Sequence, residues 1–378
     1  MSAVALALLG TMLTACGGQD AAAPVTAGPV AEREAVVVSE PADGAKDLNP
    51  AAPVVLKSPD GEIASVAFTT PGGTPLKGTL AEDKHSWTLG EALGFGKTYA
   101  WTATAKNKSG KVKESKGSLT TVAPGKTIAA SLDVGDNQTY GVGKGIGVKF
   151  NAPVPDRAAA QKALTVKTSV PVEGAWGWVS DSEVRWRPKL YWPANTTVHL
   201  DAKIYAVPFG PGVYGAEDLT ADFTIGRNLI IKGDVATHRV IVEQNDQPIA
   251  DYPASFGLDS APDRNTPNGA YVIMEKTGFM KMTSQRYGYT DIPTHNAMLI
   301  STNGEFLHEL ESNRWNLGKA NTSHGCINLG MAESTELFNW ALVGDPVVIT
   351  NSGTTMPAGA EIHDWQYSWA EWQAKSAL

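Results

Sequence analysis

Thr98-Tyr99-Ala100-Trp101-Thr102-Ala103-Thr104-Ala105 alternates along its length, the period-two pattern of a half-buried strand rather than a helix. Working outward from it, residues between Val36 and Val122 hold further runs of this kind, such as Ser65-Val66-Ala67-Phe68-Thr69. They are separated by Pro-Gly-Gly, Gly-Phe-Gly and Lys-Ser-Gly turn clusters. Short strands at this spacing predict a β-sandwich. The whole chain leans the same way: 38 Gly and 23 Pro in 378 residues favour turn-rich β structure over helical bundles, and the length suggests two or three domains.

A second unit, from Thr127 to Gly226, follows a similar plan, with strands expected at Ile146–Phe150, Glu183–Pro188 and Thr196–Ala202. The two units read as loose repeats of one immunoglobulin-like architecture. Beyond them, Arg239–Glu243, Ala270–Met274, Ala297–Ser301 and Pro346–Thr350 are strand candidates. Helix periodicity is confined to Met331–Leu342, where Leu337, Trp340 and Ala341 make one apolar face. Near the end, Trp365, Trp369 and Trp372 share one face of a short helix that Asp364 is placed to cap. Such a stripe is expected to dock on the protein, bracing the second sandwich against the domain after it; glycan stacking or a membrane contact is the alternative.

Ser323-His324-Gly325-Cys326-Ile327-Asn328 carries the chemistry, with His308 lying 18 residues before the cysteine. The chain has two cysteines, and Cys16 falls within an N-terminal signal, so Cys326 has no evident structural partner. A nucleophilic thiol needs a neighbouring imidazole or local N–H dipoles. His308 and His324 are the candidates, and Gly325 suits a sharp turn that aims backbone N–H groups at one point, as an oxyanion hole requires. The bland alternative is a buried Cys326 beside a satisfied His324. A polar, glycine-containing stretch in an exported chain speaks against it. No C-x-x-C, H-x-H or H-E-x-x-H spacing supports a zinc site, and neither metal nor cofactor is expected.

From about Leu229 to Thr350 the chain resembles the catalytic domain of L,D-transpeptidases, whose pattern is a histidine, a spacer and then S-H-G-C-x-N. The resemblance implies that Cys326 is the nucleophile, that His308 is the base forming its ion pair, and that His324 and Gly325 shape the turn. Gly325 and Cys326 would then frame the oxyanion hole, and Ser323 and Asn328 would bind substrate. It further implies a mobile flap over Thr277–Asp291, placing Met282, Tyr287 and Tyr289 at the donor site; a hairpin packed on the body is the alternative. An ion pair would keep the thiol reactive well below the free-cysteine pKa of about 8.5. The chain departs from the pattern at Glu309, where actinobacterial members usually have Ser after the histidine. The change is tolerable if that position works through its carbonyl. Val172–Ala175 and Trp178–Pro188 are similar to the immunoglobulin-like domain that precedes the catalytic domain in mycobacterial-type members.

The fold class expected is therefore mainly β: immunoglobulin-like β-sandwich domains at 37–123 and 124–226, a mostly-β catalytic domain at 227–350, and a Trp-rich C-terminal segment at 351–378. Before these, Leu13-Thr14-Ala15-Cys16-Gly17 resembles a bacterial lipobox, which implies a signal peptide over 1–16, lipidation at Cys16 and a flexible tether over 17–36. The alternative is a plain secretory peptide, and no Lys or Arg precedes Arg33. The expected location is the cell envelope, lipid-anchored at the extracytoplasmic face of the plasma membrane. Net charge of −8 argues against nucleic acid, so recognition of peptidoglycan stems, which carry carboxylates, must be local; Lys281, Arg286 and Arg314 are candidate cations. A monomer is expected. The activity implied is 3→3 cross-linking through a cysteine acyl-enzyme. Hydrolysis of the same thioester, or attachment of a protein to the wall, is the enzymatic alternative, and a structural cell-wall lipoprotein the non-enzymatic one.

Overall fold

Thr98–Lys106 forms a strand in which Tyr99, Trp101, Ala103 and Ala105 are buried, so the alternation seen in sequence is the alternation of the two sheet faces. The computed structural model describes residues 33–356 and 364–378; Cys16 and the signal segment lie outside them. The chain divides into two compact units. The first comprises the segment ending at Gly44, Pro53–Glu91 and Tyr99–Ser118, and the second comprises Ala45–Ala52, Ala92–Thr98 and Leu119–Leu378.

In the first unit two four-stranded sheets face one another. One contains Val38–Glu40, Val55–Lys57, Ser86–Leu89 and Gly78–Leu80; the other contains Pro75–Leu76, Glu62–Thr69, Thr98–Lys106 and Val112–Thr120. Phe68 of one sheet stacks on Trp87 of the other at 6.0 Å, joining the two faces by the aromatic contacts such cores favour. Of the stretch expected as a tether, Ala35 is buried on this sandwich.

The second unit begins with another sandwich. Ala130–Leu132, Ile146–Phe150, Glu183–Pro188 and Gly174–Trp178 make one sheet, and Thr139–Tyr140, Leu219–Ile225, Thr197–Ala202 and Leu164–Thr168 the other. Val148, Phe150, Val184, Val198 and Leu200 fill the space between them. The catalytic-domain segment then builds two more sheets. The first runs Gln247–Pro253, Arg239–Gln244, Leu229–Asp234, Pro346–Thr350 and Gly269–Val272. The second runs Glu275–Ser284, Tyr289–Leu299, Phe306–Glu309 and Ile327–Leu329. Ile231, Phe256, Tyr271, Leu307, Leu329, Leu337 and Val347 belong to their shared core. The helix expected to reach Leu342 ends at Trp340. Ala341 is already extended, and the Asp345 carboxylate takes the Leu342 N–H at 2.7 Å, turning the chain toward the strand at Pro346. Among the described residues no helix is long and apolar enough to cross a membrane.

The C-terminal segment docks as expected, by a different construction. It is a 3-10 turn, Asp364–Gln366, followed by a separate helix, Trp369–Gln373, capped by Ser368 in a capping box with Glu371. Asp364 is therefore not the cap. Its buried carboxylate accepts from Arg185 Nε at 2.9 Å, and Arg185 also pairs with Asp133 and Glu183. Burying these charges is tolerable because they meet with good geometry. The three tryptophans do converge, with the Arg187 guanidinium 4.8, 5.3 and 5.1 Å from the rings of Trp365, Trp369 and Trp372. Trp365 and Trp372 donate their indole N–H groups to Gly143 and Ala175 carbonyls, whereas Gln366 donates to Ala270 at 3.0 Å. The segment thus holds the second sandwich and the catalytic domain together.

Trp372 is fully buried, so Trp372→Ala should cost about 3–5 kcal/mol. A fall in the first urea midpoint of the folded chain would show it, and an unchanged midpoint would mean that the segment is not a brace.

Candidate active site

Phe306–Glu309 and Ile327–Leu329 pair in parallel, which sets His308 directly beside Asn328. The strand Phe306–Glu309 carries His308, which is buried. His308 Nδ1 lies 2.6 Å from the Glu309 carbonyl, and a carbonyl can only accept, so Nδ1 carries the proton. Nε2 is then the ring's lone-pair nitrogen, and it accepts from Asn328 Nδ2 at 3.0 Å. Burial lowers the imidazole pKa, against the opposing pull of the Glu309 carbonyl and carboxylate. Glu309 therefore serves the ring through its main-chain carbonyl. Its own carboxylate, also buried, reaches His295 at 3.2 Å.

Cys326 sits at the end of the loop immediately before the strand Ile327–Leu329, and that strand leads into the helix Met331–Trp340. Gly325 has φ +121, a conformation that side chains rarely adopt. The loop is closed from within: Ser323 Oγ donates to the Cys326 carbonyl at 2.6 Å and accepts from the Gly325 N–H at 3.1 Å. It is anchored from outside by Thr266 Oγ1, which donates to the Gly325 carbonyl at 2.8 Å, and by Arg264, which donates to the Thr322 and Ser323 carbonyls. Two expectations change accordingly. The Gly325 N–H is already spoken for, so the loop amides free to face an oxyanion, among the described residues, are those of His324 and Cys326. Ser323 and Asn328 are buried and spend their polar groups on the loop and on His308, holding the site rather than presenting it.

The expected ion pair is absent. Cys326 Sγ is directed to the Gly304 carbonyl at 3.8 Å while His308 Nε2 is occupied by Asn328. The residue is partly open to the cleft. Even so, burial pushes its thiol up to about 12, a Phe306 N–H opposing and Glu305 reinforcing the shift. Burial moves the two groups in opposite directions, thiol up and imidazole down, and both shifts favour the neutral forms.

These groups open into a cleft of about 370 Å³ lined by Met282, Tyr289, Ile292, Thr294, Asn313 and His324 along with His308 and Cys326. The flap segment is a long antiparallel hairpin, Glu275–Ser284 with Tyr289–Leu299. Met282 lines the cleft, whereas Tyr287 stacks on His324 with ring centres 4.5 Å apart and donates its hydroxyl to the Asp263 carbonyl at 2.7 Å. His324, half-buried, has its pKa lowered by burial and by Arg264. None of the three cations picked from sequence lines the cleft: Arg286 pairs with Asp263, Arg314 with Glu311, and Lys281 lies on the exposed side of the hairpin strand. The sequence reading missed Arg264 and Asn313. Asn313 donates to Asn328 Oδ1 and accepts from Asn316 and Thr322, and nothing in its local pattern marks it.

Two sandwiches are followed by a β domain in which a thiol, an oriented imidazole and loop amides surround one cleft. Residues 45–208 match the bacterial Ig domain and residues 228–349 the L,D-transpeptidase catalytic domain. L,D-transpeptidase 5 of Mycobacterium tuberculosis (strain ATCC 25618 / H37Rv) is 38% identical over 372 residues, 97% of this chain and 82% of that protein. L,D-transpeptidase 2 of Mycobacterium tuberculosis (strain CDC 1551 / Oshkosh) is 32% identical over 345 residues, 89% of this chain and 83% of that one. The structure of LD transpeptidase LdtMt1 in complex with imipenem superposes with a TM-score of 0.50 at 30% identity, covering 58% of this chain and 98% of that one. The chain belongs to the L,D-transpeptidase family, an enzyme family, which sets aside the reading as a purely structural lipoprotein.

A raised thiol pKa means less thiolate at every pH below it, so alkylation of Cys326 should be slow at neutral pH and still climbing past about pH 9. A rate with iodoacetamide that levels off below the free-cysteine value would restore the ion pair.

Proposed function

We propose that this protein is a peptidoglycan L,D-transpeptidase that forms 3→3 cross-links through a thioester on Cys326. The observation that carries this reading is the convergence on one cleft of the Cys326 thiol, the His308 imidazole and a Cys326 N–H that has no partner among the described residues. The donor is a tetrapeptide stem. As its carbonyl between the third and fourth residues enters, Sγ turns from the Gly304 carbonyl toward His308, and Asn328 yields Nε2. Nε2 takes the thiol proton while sulfur adds to the carbonyl carbon, and the oxyanion is held by the Cys326 and His324 amides. Collapse expels D-alanine, whose amine receives the proton from His308, and leaves the thioester. The side-chain amine of the third residue of a second stem then attacks, giving its proton to Nε2. Sulfur departs as the thiol with that proton. Transfer outruns hydrolysis when the acceptor amine is held against the thioester, where orientation is worth effective molarities of about 10⁵ M or more.

A neutral resting thiol suits this sequence, because the proton moves only when the electrophile is in place. In the same reading, Met282 and the hairpin contact the donor. The proposed organisation keeps a signal over 1–16, lipidation at Cys16, a tether, sandwiches over 37–123 and 124–226 and catalysis within 227–350. It places a monomer at the extracytoplasmic membrane face, with the sandwiches as spacers between membrane and wall.

Mixing the soluble form with a disaccharide tetrapeptide should give an adduct equal to the donor minus its terminal alanine by intact mass spectrometry, absent in Cys326→Ala. No adduct on folded protein with a free thiol would overturn the reading. His308→Ala should lower the acylation rate by about 10²–10⁴-fold, and imipenem, carried by the LdtMt1 structure, should acylate Cys326 in the wild type.

A further inference from the structure

We propose that Glu309 and His295 form a positioning pair that locks the hairpin over the cleft to the orientation of the His308 imidazole. The inference rests on the proposed role of His308 as base. One residue makes both connections: the Glu309 carbonyl receives His308 Nδ1–H at 2.6 Å, and the Glu309 carboxylate meets His295 Nδ1 at 3.2 Å. The Glu309 side chain is 4% exposed and that of His295 is 45% exposed, so the pair spans from the buried layer to the surface. Among the described residues, His295 is the one side chain that meets this carboxylate. A buried carboxylate without a partner is costly, so the hairpin strand is held wherever His295 must stand to satisfy it.

The strand carrying His295 is the one that brings Tyr289, Ile292 and Thr294 to the cleft. His295 lies opposite Phe279 across the hairpin, with the rings 5.1 Å apart. The next residue, Asn296, has φ +54 within the strand, and its amide donates to Ser334 and Thr335 of the helix after the Cys326 loop. Asparagine enters this left-handed region more readily than other side-chain-bearing residues, so the two amide contacts are what fix its place. The hairpin root is thus fixed at two successive positions, one on the residue that orients the imidazole and one on the helix that follows the thiol loop. A small error in the aim of a base can cost about 10²-fold in rate, so a lock on this residue acts on the chemistry as well as on the hairpin.

The test is a double-mutant cycle on the single-turnover acylation rate of Cys326 by the tetrapeptide donor, followed by mass spectrometry. His295→Gln and Glu309→Gln should each slow acylation by about tenfold or more, and the double variant should be no slower than the worse single, since contacting residues couple. His295→Lys, which keeps an N–H donor facing the carboxylate, should recover most of the rate. Loss of packing alone would not distinguish Lys from Gln. If His295→Gln is too unstable to assay, the double variant, which leaves no unpaired buried charge, still reads the lock: it should fold and acylate about tenfold more slowly than wild type. Additive losses, a wild-type rate in His295→Gln or in the double variant, or equal impairment by Lys and Gln would overturn the pair. Absence of acylation in the wild type would instead overturn the proposed function itself, so the two failures are separable.

Discussion

Two short strands, Phe306–Glu309 and Ile327–Leu329, lie side by side in parallel within the second catalytic sheet, and each delivers one half of the site. The first buries His308 and supplies the carbonyl that fixes its tautomer; the second follows directly from Cys326 and supplies Asn328 to the other ring nitrogen. Backbone pairing, rather than side-chain contact between the histidine and the cysteine, holds the groups in common register. It is a rigid arrangement, because Leu307, Ile327 and Leu329 on the same strands are fully buried in the domain core.

That rigidity sets the electrostatics. Enclosure, by the sheet for the imidazole and by the cleft for the thiol, disfavours the charged form of each, so burial pushes one pKa up and the other down. Asn328 and the Gly304 carbonyl occupy the two groups meanwhile. The loop pays the conformational cost at Gly325, where φ +121 excludes most residues and the space around an added Cβ is otherwise ordinary. Polar groups that sequence assigns to substrate, Ser323 and Asn328, are consumed in holding this geometry.

Away from the cleft the same rule governs the C-terminal segment. Asp364 and Arg185 are both nearly inaccessible, and Arg187 is enclosed by three indole rings. Arg185 and Asp364 persist there as a pair, whereas Arg187 is held by the ring faces and by the Pro188, Lys189 and Tyr367 carbonyls, its Nε left without a partner. The tail spends its tryptophans on the second sandwich, with Trp372 wholly enclosed, which leaves that face of the helix to packing rather than to a glycan.

Much of this was legible in the sequence. Alternation at Thr98–Ala105 and the turn clusters implied sandwiches because a strand's side chains must divide between two faces; Pro346–Thr350 was legible as a strand, as was a docked tryptophan stripe at the C-terminus. The grouping of Cys326, His308 and Gly325 as one site followed from residue type and motif. Sequence could not say where each polar group spends its hydrogen bonds. Asp364 as an ion-pair partner instead of a cap, the Thr266 anchor on the Gly325 carbonyl, the turn of the thiol to the Gly304 carbonyl and the link from Glu309 to His295 all depend on neighbours distant along the chain. Local pattern determined which elements form and which residue types stand together in the motif, because propensity and periodicity act over a few residues. Burial and pairing across the sheets decided their protonation and orientation, because those are set by whatever the fold brings within hydrogen-bond reach.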